Sequence, residues 1–372
     1  MITRQAEYNI GVFGAGQIGL AIREMLQVIT ATKEYFTTLN IRTYDAVATD
    51  AGIIELDIMN DDVGLSEAVE TNEIIISALP YDVTRRLARE VSAQGDRIYL
   101  DLTEDVGEAE ILVQKNQDVK SSSIMVPHCG LAPGAISILA ANLMKQFDVV
   151  HNVRMKVGAL PVVATNKLKY NLAWSTSGLV NEYCNPCPIV KNGFLTTVPA
   201  LEDYNIVSID GIEYEAFNTS GGLGTFGSKC LDIVNVSPHV NISYQTLRYP
   251  GHRDLMKFLL SDMQFEKDKK GFVTLLDKVL PKNNNDKVVI MVEVDGKIGD
   301  SFAVRSYENC IYATETFTAI QLTTAGSLVS VVSWILAELE LNNLQSFVTK
   351  GLLRNEDIPL YELRGASPFW EY

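Results

Sequence analysis

Residues 9–20 read Asn9-Ile10-Gly11-Val12-Phe13-Gly14-Ala15-Gly16-Gln17-Ile18-Gly19-Leu20. The apolar run Ile10 to Phe13 enters a Gly-x-Gly-x-x-Gly turn, and an apolar-periodic helix leaves it through Ile22, Met25 and Leu26. The order is strand, tight turn, helix. Gly14 permits the bend, Gly16 lets a pyrophosphate reach the backbone, and Gly19 lets helix and strand pack closely. The first N–H groups of such a helix lack intrahelical acceptors and carry a partial positive charge, which suits phosphate. Gly14, Gly16, Gln17, Ile18 and Gly19 are therefore read as dinucleotide-binding residues.

Working outward, the N-terminal third alternates short apolar runs with helical patterns. Strands are expected at Tyr8–Phe13, Asn40–Tyr44, Ile53–Asp57, Glu73–Ala78, Arg97–Asp101 and Ser123–Val126, with helices between them such as Val83–Ser92. That alternation predicts parallel βαβ units and a Rossmann-type doubly wound sheet. Asp45 ends the second strand, where a carboxylate can accept both ribose hydroxyls and repel a 2′-phosphate. It predicts NAD in preference to NADP. The distance from Gly19 exceeds the usual ~20 residues, and Arg42 and Thr43 beside it could soften the preference. Ser77, Ala78, Leu79 and Pro80 follow the fourth strand, and Asp101 and Leu102 follow the fifth. Both segments belong to the crevice beyond the strand ends and are assigned to the cofactor. The acids Asp101, Glu104 and Asp105 there either cap a turn or touch the chemistry.

The texture changes near residue 130. Cys129-Gly130-Leu131-Ala132-Pro133-Gly134 reads as a turn opening a helix over Ile136–Phe147. Strand-like stretches follow at Asn152–Val157, Ile206–Ile209, Ile212–Phe217, Asn241–Tyr249 and Val288–Val294, with Asp210-Gly211 and Asp295-Gly296 as hairpin turns. The second domain is thus α+β with a largely antiparallel sheet. A long apolar helix over Thr323–Leu341 is expected to pack back on the first domain. The division is 1–130 plus 323–372 for the dinucleotide-binding domain and 131–322 for the substrate-binding domain.

The 372 residues carry a net charge of −15 with no long basic stretch, so nucleic acid and anionic membrane are poor partners. The opening residues Met1 to Glu7 lack the apolar core of a secretory leader. The longest apolar run, Ala325–Leu339, holds Ser327, Ser330, Ser333 and Glu338 and reads as a buried helix rather than a membrane span. Five cysteines, an odd number, predict a reducing, cytoplasmic setting. Cys184-Asn185-Pro186-Cys187 has the spacing of one half of a zinc site but no second pair, so no metal is expected.

His128 and Cys129 stand where the first domain hands over to the second, a position from which either could meet a substrate. Arg248, in Leu247-Arg248-Tyr249-Pro250-Gly251-His252, could clamp a carboxylate through two parallel N–H bonds or form a salt bridge at a turn. His252 could polarise, position, or cap the next helix. Ser220-Gly221-Gly222-Leu223-Gly224-Thr225 is glycine-rich but lacks the lysine of a phosphate loop and reads as a point of close approach.

The glycine turn resembles that of the saccharopine dehydrogenase-like family. So do Tyr99–Glu104, His128–Gly134, Lys156–Pro161, Trp174–Tyr183 and Thr246–His252, in the family's order and over most of the chain. The compact length and the Leu247–His252 segment are most similar to the lysine 6-dehydrogenase branch. The resemblance implies an NAD-dependent oxidoreductase of amino-acid metabolism. It would deaminate an amino acid oxidatively, with L-lysine at its ε-amine as the leading substrate, giving allysine, ammonia and NADH; allysine then cyclises. A substrate ammonium has a reference pKa of ~10.4 and must lose a proton before hydride leaves. Asp101, Glu104 and His128 are the candidates for that base. Arg248 would take the α-carboxylate, and the resemblance places Tyr170, Trp174 and Glu182 along the pocket, Glu182 as a partner for the α-ammonium. Saccharopine-forming relatives have Cys-Gly-Leu-Asp-Pro-Gly where this chain has Ala132. Two alternatives stand beside this reading: a saccharopine- or carboxynorspermidine-type reductase acting on an imine, and a protein that senses NAD(H) without turnover. A small-molecule substrate and a homo-oligomer, dimer or tetramer, are expected.

Overall fold

The computed structural model describes residues 7–32, 38–104, 122–233, 236–282, 284–349 and 351–366. Asp105 lies outside them. The chain forms two compact units, one of residues up to Ile138 together with those from Thr324, the other running from Leu139 to Thr323.

In the first unit six strands lie in the order β3-β2-β1-β4-β5-β6, every neighbouring pair parallel. They are β1 (Glu7–Phe13), β2 (Thr38–Asp45), β3 (Ile53–Glu55), β4 (Ile74–Ser77), β5 (Ile98–Asp101) and β6 (Ile124–Val126). This is the doubly wound order whose crevice opens beyond the strand C-termini, between β1 and β4. Helices α1 (Gln17–Thr32), α2 (Asp62–Glu70) and α3 (Tyr81–Gln94) connect them. Strands covered on both faces bury every side chain, and β4 and β5 do so throughout. Leu65, Val69, Leu87, Val91, Ile75 and Tyr99 form one apolar cluster under α2 and α3.

Residues beyond α3 add to this sheet from afar in sequence. Met125 N donates to Gly351 O at 2.8 Å and Leu353 N to Met125 O at 2.9 Å, so the segment after Gly351 pairs along β6. Helix α9 (Ala319–Glu340) is, among the described residues, the one helix long and apolar enough to cross a bilayer, at mean hydropathy 1.6. It is mostly buried, and its serines are spent internally: Ser330 Oγ donates to Gly326 O at 2.7 Å and Ser333 Oγ to Val329 O at 3.0 Å. That is how a core helix accommodates hydroxyls.

The second unit is built on a sheet in the order β10-β11-β12-β7-β13-β14, with β8 paired to β12 and β9 to β8. Its strands are β7 (Val149–Pro161), β8 (Cys187–Lys191), β9 (Phe194–Val198), β10 (Asn205–Ile209), β11 (Ile212–Asn218), β12 (Val236–Arg248), β13 (Asp286–Ile298) and β14 (Ser301–Tyr312). Pairing is antiparallel except between β12 and β7. Helices α4 (Ala135–Met144), α5 (Thr176–Cys184), α6 (Phe226–Ile233), α7 (His252–Lys257) and α8 (Lys269–Val279) complete the middle of the chain, and α10 (Leu360–Ala366) ends the described part of it.

Asp210-Gly211 turns the β10–β11 hairpin as its composition predicts, with Ile209 opposite Ile212. Asp295-Gly296 does not turn. It lies inside β13 at a bulge against β7, and the hairpin closes instead beyond Ile298, at Gly299 with φ +58°. A Cβ on Gly296 would come 2.1 Å from Val149 O, so glycine serves close strand approach there. Gly222 meets the close-approach expectation: its Cβ would fall 2.2 Å from the Tyr244 ring.

Candidate active site

The crevice of the first unit is assembled from the glycine turn upward. Gly14 has φ +103°, open to glycine, and its N–H donates to Tyr44 O at 2.8 Å. A Cβ on Gly19 would sit 1.8 Å from Gly14 O, so that position seals helix α1 onto the turn. A Cβ on Gly16 would meet nothing within 4 Å. The open side of the turn is thus at Gly16, just before the N-terminus of α1, where a pyrophosphate would approach. Gln17 is exposed there and Ile18 half-buried. These residues fit a dinucleotide, and Ala78 seals the turn from β4: its N–H donates to Phe13 O at 2.8 Å. Ser77 is buried with its hydroxyl 3.0 Å from Thr84 Oγ1, Leu79 is half-buried, and exposed Pro80 starts α3 by accepting from Thr84 N at 3.0 Å.

Asp45 stands at the end of β2, but its carboxylate is already engaged. Oδ2 accepts from Ala15 N at 2.6 Å and Oδ1 from Val47 N at 3.1 Å. It ties the loop after β2 to the glycine turn, a job independent of the ribose. Arg42 donates to Thr71 O and Asn72 Oδ1, both at 3.3 Å, and so serves the end of α2.

Asp101, Thr103 and His128 meet at the ends of β5 and β6. Asp101 Oδ1 accepts from Thr103 N and His128 N, both at 3.1 Å. Burial pushes its carboxyl up, and the hydrogen bonds from the His128 and Thr103 N–H groups oppose the shift. His128 has φ +64°, a conformation rare outside glycine, and is buried. Its Nδ1 lies 2.7 Å from Thr103 O. A carbonyl only accepts, so Nδ1 carries the hydrogen and Nε2 of the neutral ring holds a bare lone pair. Nε2 is buried and has no partner among the described residues. Of the three candidate bases, Asp101 is committed to holding the loop, Glu104 is half-buried beside it, and His128 alone offers an unfilled valence of this kind. Leu102 is half-buried in the same loop. Cys129 is inert by comparison. Its thiol donates to Val126 O at 3.1 Å and burial pushes it well above the ordinary thiol range.

The second unit gathers most of its predicted site residues into one buried network. Arg248 ends β12 and is 2% exposed. Its Nε donates to the Tyr183 hydroxyl at 2.9 Å and Nη1 to Leu247 O at 2.9 Å, while its guanidinium lies 5.0 Å from the centre of the Tyr170 ring. Nη2 stands 3.8 Å from Glu182 Oε2, and that oxygen has no hydrogen bond among the described residues. Burial pushes the Glu182 carboxyl up to about 7 against the pull of Arg248. Arg248 is therefore not a free two-pronged clamp. One prong is spent on tyrosine and the other faces an unsatisfied carboxylate. His252 does not reach outward either: Nδ1 donates to Leu168 O at 2.8 Å and Nε2 accepts from Tyr183 at 3.0 Å. Tyr170 accepts from Trp174 Nε1 at 3.0 Å.

Tyr183, Glu215 and Asn355 were not singled out in the sequence. Tyr183 shares a helix with Glu182. Glu215 pairs across from Arg248, and its carboxylate takes Gly251 N at 2.8 Å and Arg253 N, which holds the turn after β12. Asn355 donates from Nδ2 to Pro127 O at 2.8 Å and His128 O at 3.0 Å. No local pattern marks these residues; their partners are far away in sequence. Among the described residues no cluster of three metal-ligating side chains occurs.

Residues 130–363 match the saccharopine dehydrogenase C-terminal domain. The chain belongs to the saccharopine dehydrogenase family. Two curated relatives are both named saccharopine dehydrogenase [NADP(+), L-glutamate-forming]. That of Schizosaccharomyces pombe is 26% identical over 195 residues, 48% of this chain and 42% of the relative. That of Pyricularia oryzae is 26% identical over 287 residues, 73% and 61% respectively. The chain thus spans about half the length of these family members. The structure of apo saccharopine dehydrogenase (L-Glu forming) from Saccharomyces cerevisiae shares the fold, with TM-score 0.72, 15% identity, and coverage of 96% of this chain and 97% of that one. The preference for NAD read from Asp45 is corrected by this family: both curated relatives carry NADP(+) in their names. The Asp45 carboxylate has a structural task of its own, accepting from Ala15 N and Val47 N, and that task by itself accounts for an acid at the end of β2.

Proposed function

We propose that the protein is an NADP(H)-dependent oxidoreductase that interconverts an imine and a secondary amine joining two amino-acid skeletons, as in saccharopine formation. The observation that carries this reading is the buried, unpartnered Nε2 of His128 at the ends of β5 and β6, on the same carboxyl edge of the sheet as the glycine turn after β1. When bound, the dinucleotide supplies hydride to the imine carbon or accepts it from the amine carbon. The residues of this chain supply the rest. The glycine turn and α1 hold the pyrophosphate. In the oxidative direction a substrate ammonium must first lose a proton, and His128 Nε2 takes it; in the reductive direction the same atom returns it to nitrogen. Arg248 and Glu182 support the substrate class. Glu182 Oε2 is buried with no hydrogen bond among the described residues and stands 3.8 Å from Arg248 Nη2, beyond hydrogen-bond distance, so this pair of opposite charges suits the ammonium and carboxylate of an amino acid.

The finer alternative, oxidation of free lysine at Cε, keeps one observation in its favour: Ala132 stands where the saccharopine-forming segment has an acid. Three incubations separate the readings, each followed at the NADPH absorbance. Allysine with glutamate and NADPH tests imine reduction. Saccharopine with NADP+ tests the reverse. Lysine with NADP+ and no second carbonyl compound tests direct deamination. We expect turnover in the first two only. Turnover with lysine alone replaces the saccharopine reading, and binding of NADPH without turnover in any mixture makes the protein a sensor.

A further inference from the structure

His128 is held in its left-handed conformation at three points, and one of them comes from the far end of the chain. Its N–H is fixed by Asp101 Oδ1 and its Nδ1 by Thr103 O. Its carbonyl is fixed by Asn355, whose single Nδ2 donates to Pro127 O and His128 O together. Asn355 is 3% exposed and reaches this place because residues 351–353 pair along β6. Its side chain thus spans the two carbonyls that flank the His128 backbone and sets the direction in which that residue leaves β6. Two acceptors point at one group, so only a residue that donates twice satisfies both; aspartate would set a charged acceptor against two carbonyls.

We propose that Asn355 is a positioning residue that, through the backbone at Pro127 and His128, fixes the tautomer and aim of the His128 imidazole. This rests on the reading of His128 Nε2 as the proton-holding group of the reaction, and it extends that site to the C-terminal segment. Loss of Asn355 frees the His128 carbonyl, lets φ relax from +64°, and releases Nδ1 from Thr103.

The test uses the full chain with Asn355→Ala, Asn355→Asp and His128→Gln. The chain has four histidines, so imidazole nitrogen spectra are resolvable and His128→Gln identifies the signals in question. The expected wild-type spectrum has a hydrogen on Nδ1 and a bare Nε2, and both Asn355 variants turn it into a tautomer mixture. In turnover, Asn355→Ala should lower kcat by about 10- to 100-fold. NADPH affinity should stay within about twofold, which also shows that the variant is folded. The pH-dependent limb that His128→Gln abolishes should move, and adding Asn355→Ala to His128→Gln should cost less than about twofold more, as expected of residues acting as one unit. If the alanine variant does not fold, Asn355→Ser, which keeps one donor, is measured in the same way. An unchanged His128 tautomer, or losses that multiply in the double variant, overturns the proposal. A wild-type protein without turnover overturns the functional reading alone, since the tautomer measurement still decides this one.

Discussion

Arg248 Nε and the Tyr183 hydroxyl are joined by a 2.9 Å hydrogen bond inside a buried network. The hydroxyl accepts from arginine and so must give its own hydrogen to His252 Nε2, 3.0 Å away. His252 is thereby kept neutral: burial, helped by the Arg248 charge, lowers its imidazole to about 3. Tyr183→Phe removes one atom and strands two buried groups, the guanidinium N–H and the ring nitrogen. Each costs about 1–3 kcal/mol, so a loss of about 2–6 kcal/mol is expected in urea unfolding. A loss below about 0.5 kcal/mol would mean that water already serves these groups.

Asp45 is predicted to matter to the cofactor without choosing it. Asp45→Ala removes the acceptor of Ala15 N and Val47 N and loosens the glycine turn. Charged hydrogen bonds at a half-exposed site suggest about 1–3 kcal/mol of stability, with weaker binding of NADH and NADPH by similar factors. Fluorescence titration with both nucleotides checks this. A selective gain for NADPH would show that the carboxylate acts on the 2′-phosphate after all.

The reach of sequence reasoning follows from the range of the interactions. The glycine turn, the parallel strands and α1 are local patterns, each recognisable within a dozen residues, and the fold class follows from them. The bulge at Asp295-Gly296 carries hairpin composition, yet the glycine is there to let Val149 O approach, which no local window contains. The site divides in the same way. His128, Arg248, Tyr170, Trp174 and Glu182 are chemically conspicuous and do cluster by unit. What each of them does is decided by partners such as Tyr183 and Asn355, which are ordinary residues far off in sequence. Asp45 misleads for the same reason: its position was legible, and the N–H groups that occupy it were not.

Glu182 gives the molecule a pH signature. Its carboxyl titrates at about 7 when folded against an ordinary 4.5, because burial penalises the charge. The raised value means that the folded state holds the proton more tightly, so the stabilisation is full below pH 4.5 and is lost as pH rises through 7. The difference corresponds to roughly 3 kcal/mol at 1.36 kcal/mol per pH unit. Ligand-free wild type should therefore lose stability relative to Glu182→Gln between about pH 4.5 and 7.5. Unfolding curves for both proteins across that range test it, and parallel pH profiles would place the proton elsewhere.

The two ends of the glycine turn make opposite predictions. At Gly19 an added Cβ meets the Gly14 carbonyl at 1.8 Å, which is backbone and cannot swing aside. Gly19→Ala should therefore cost at least about 2 kcal/mol as the turn and α1 separate, and cofactor binding should fall with it. At Gly16 the same methyl meets nothing within 4 Å. Gly16→Ala should leave the unfolding midpoint nearly unchanged, since alanine also lowers the entropy of the unfolded chain. Its methyl projects where the pyrophosphate needs the backbone, so NADPH affinity should drop about tenfold or more. Stability and affinity are thus uncoupled at Gly16 and coupled at Gly19. Calorimetry and nucleotide titration on the two variants read this directly, and normal NADPH binding by Gly16→Ala would move the phosphate site away from this turn.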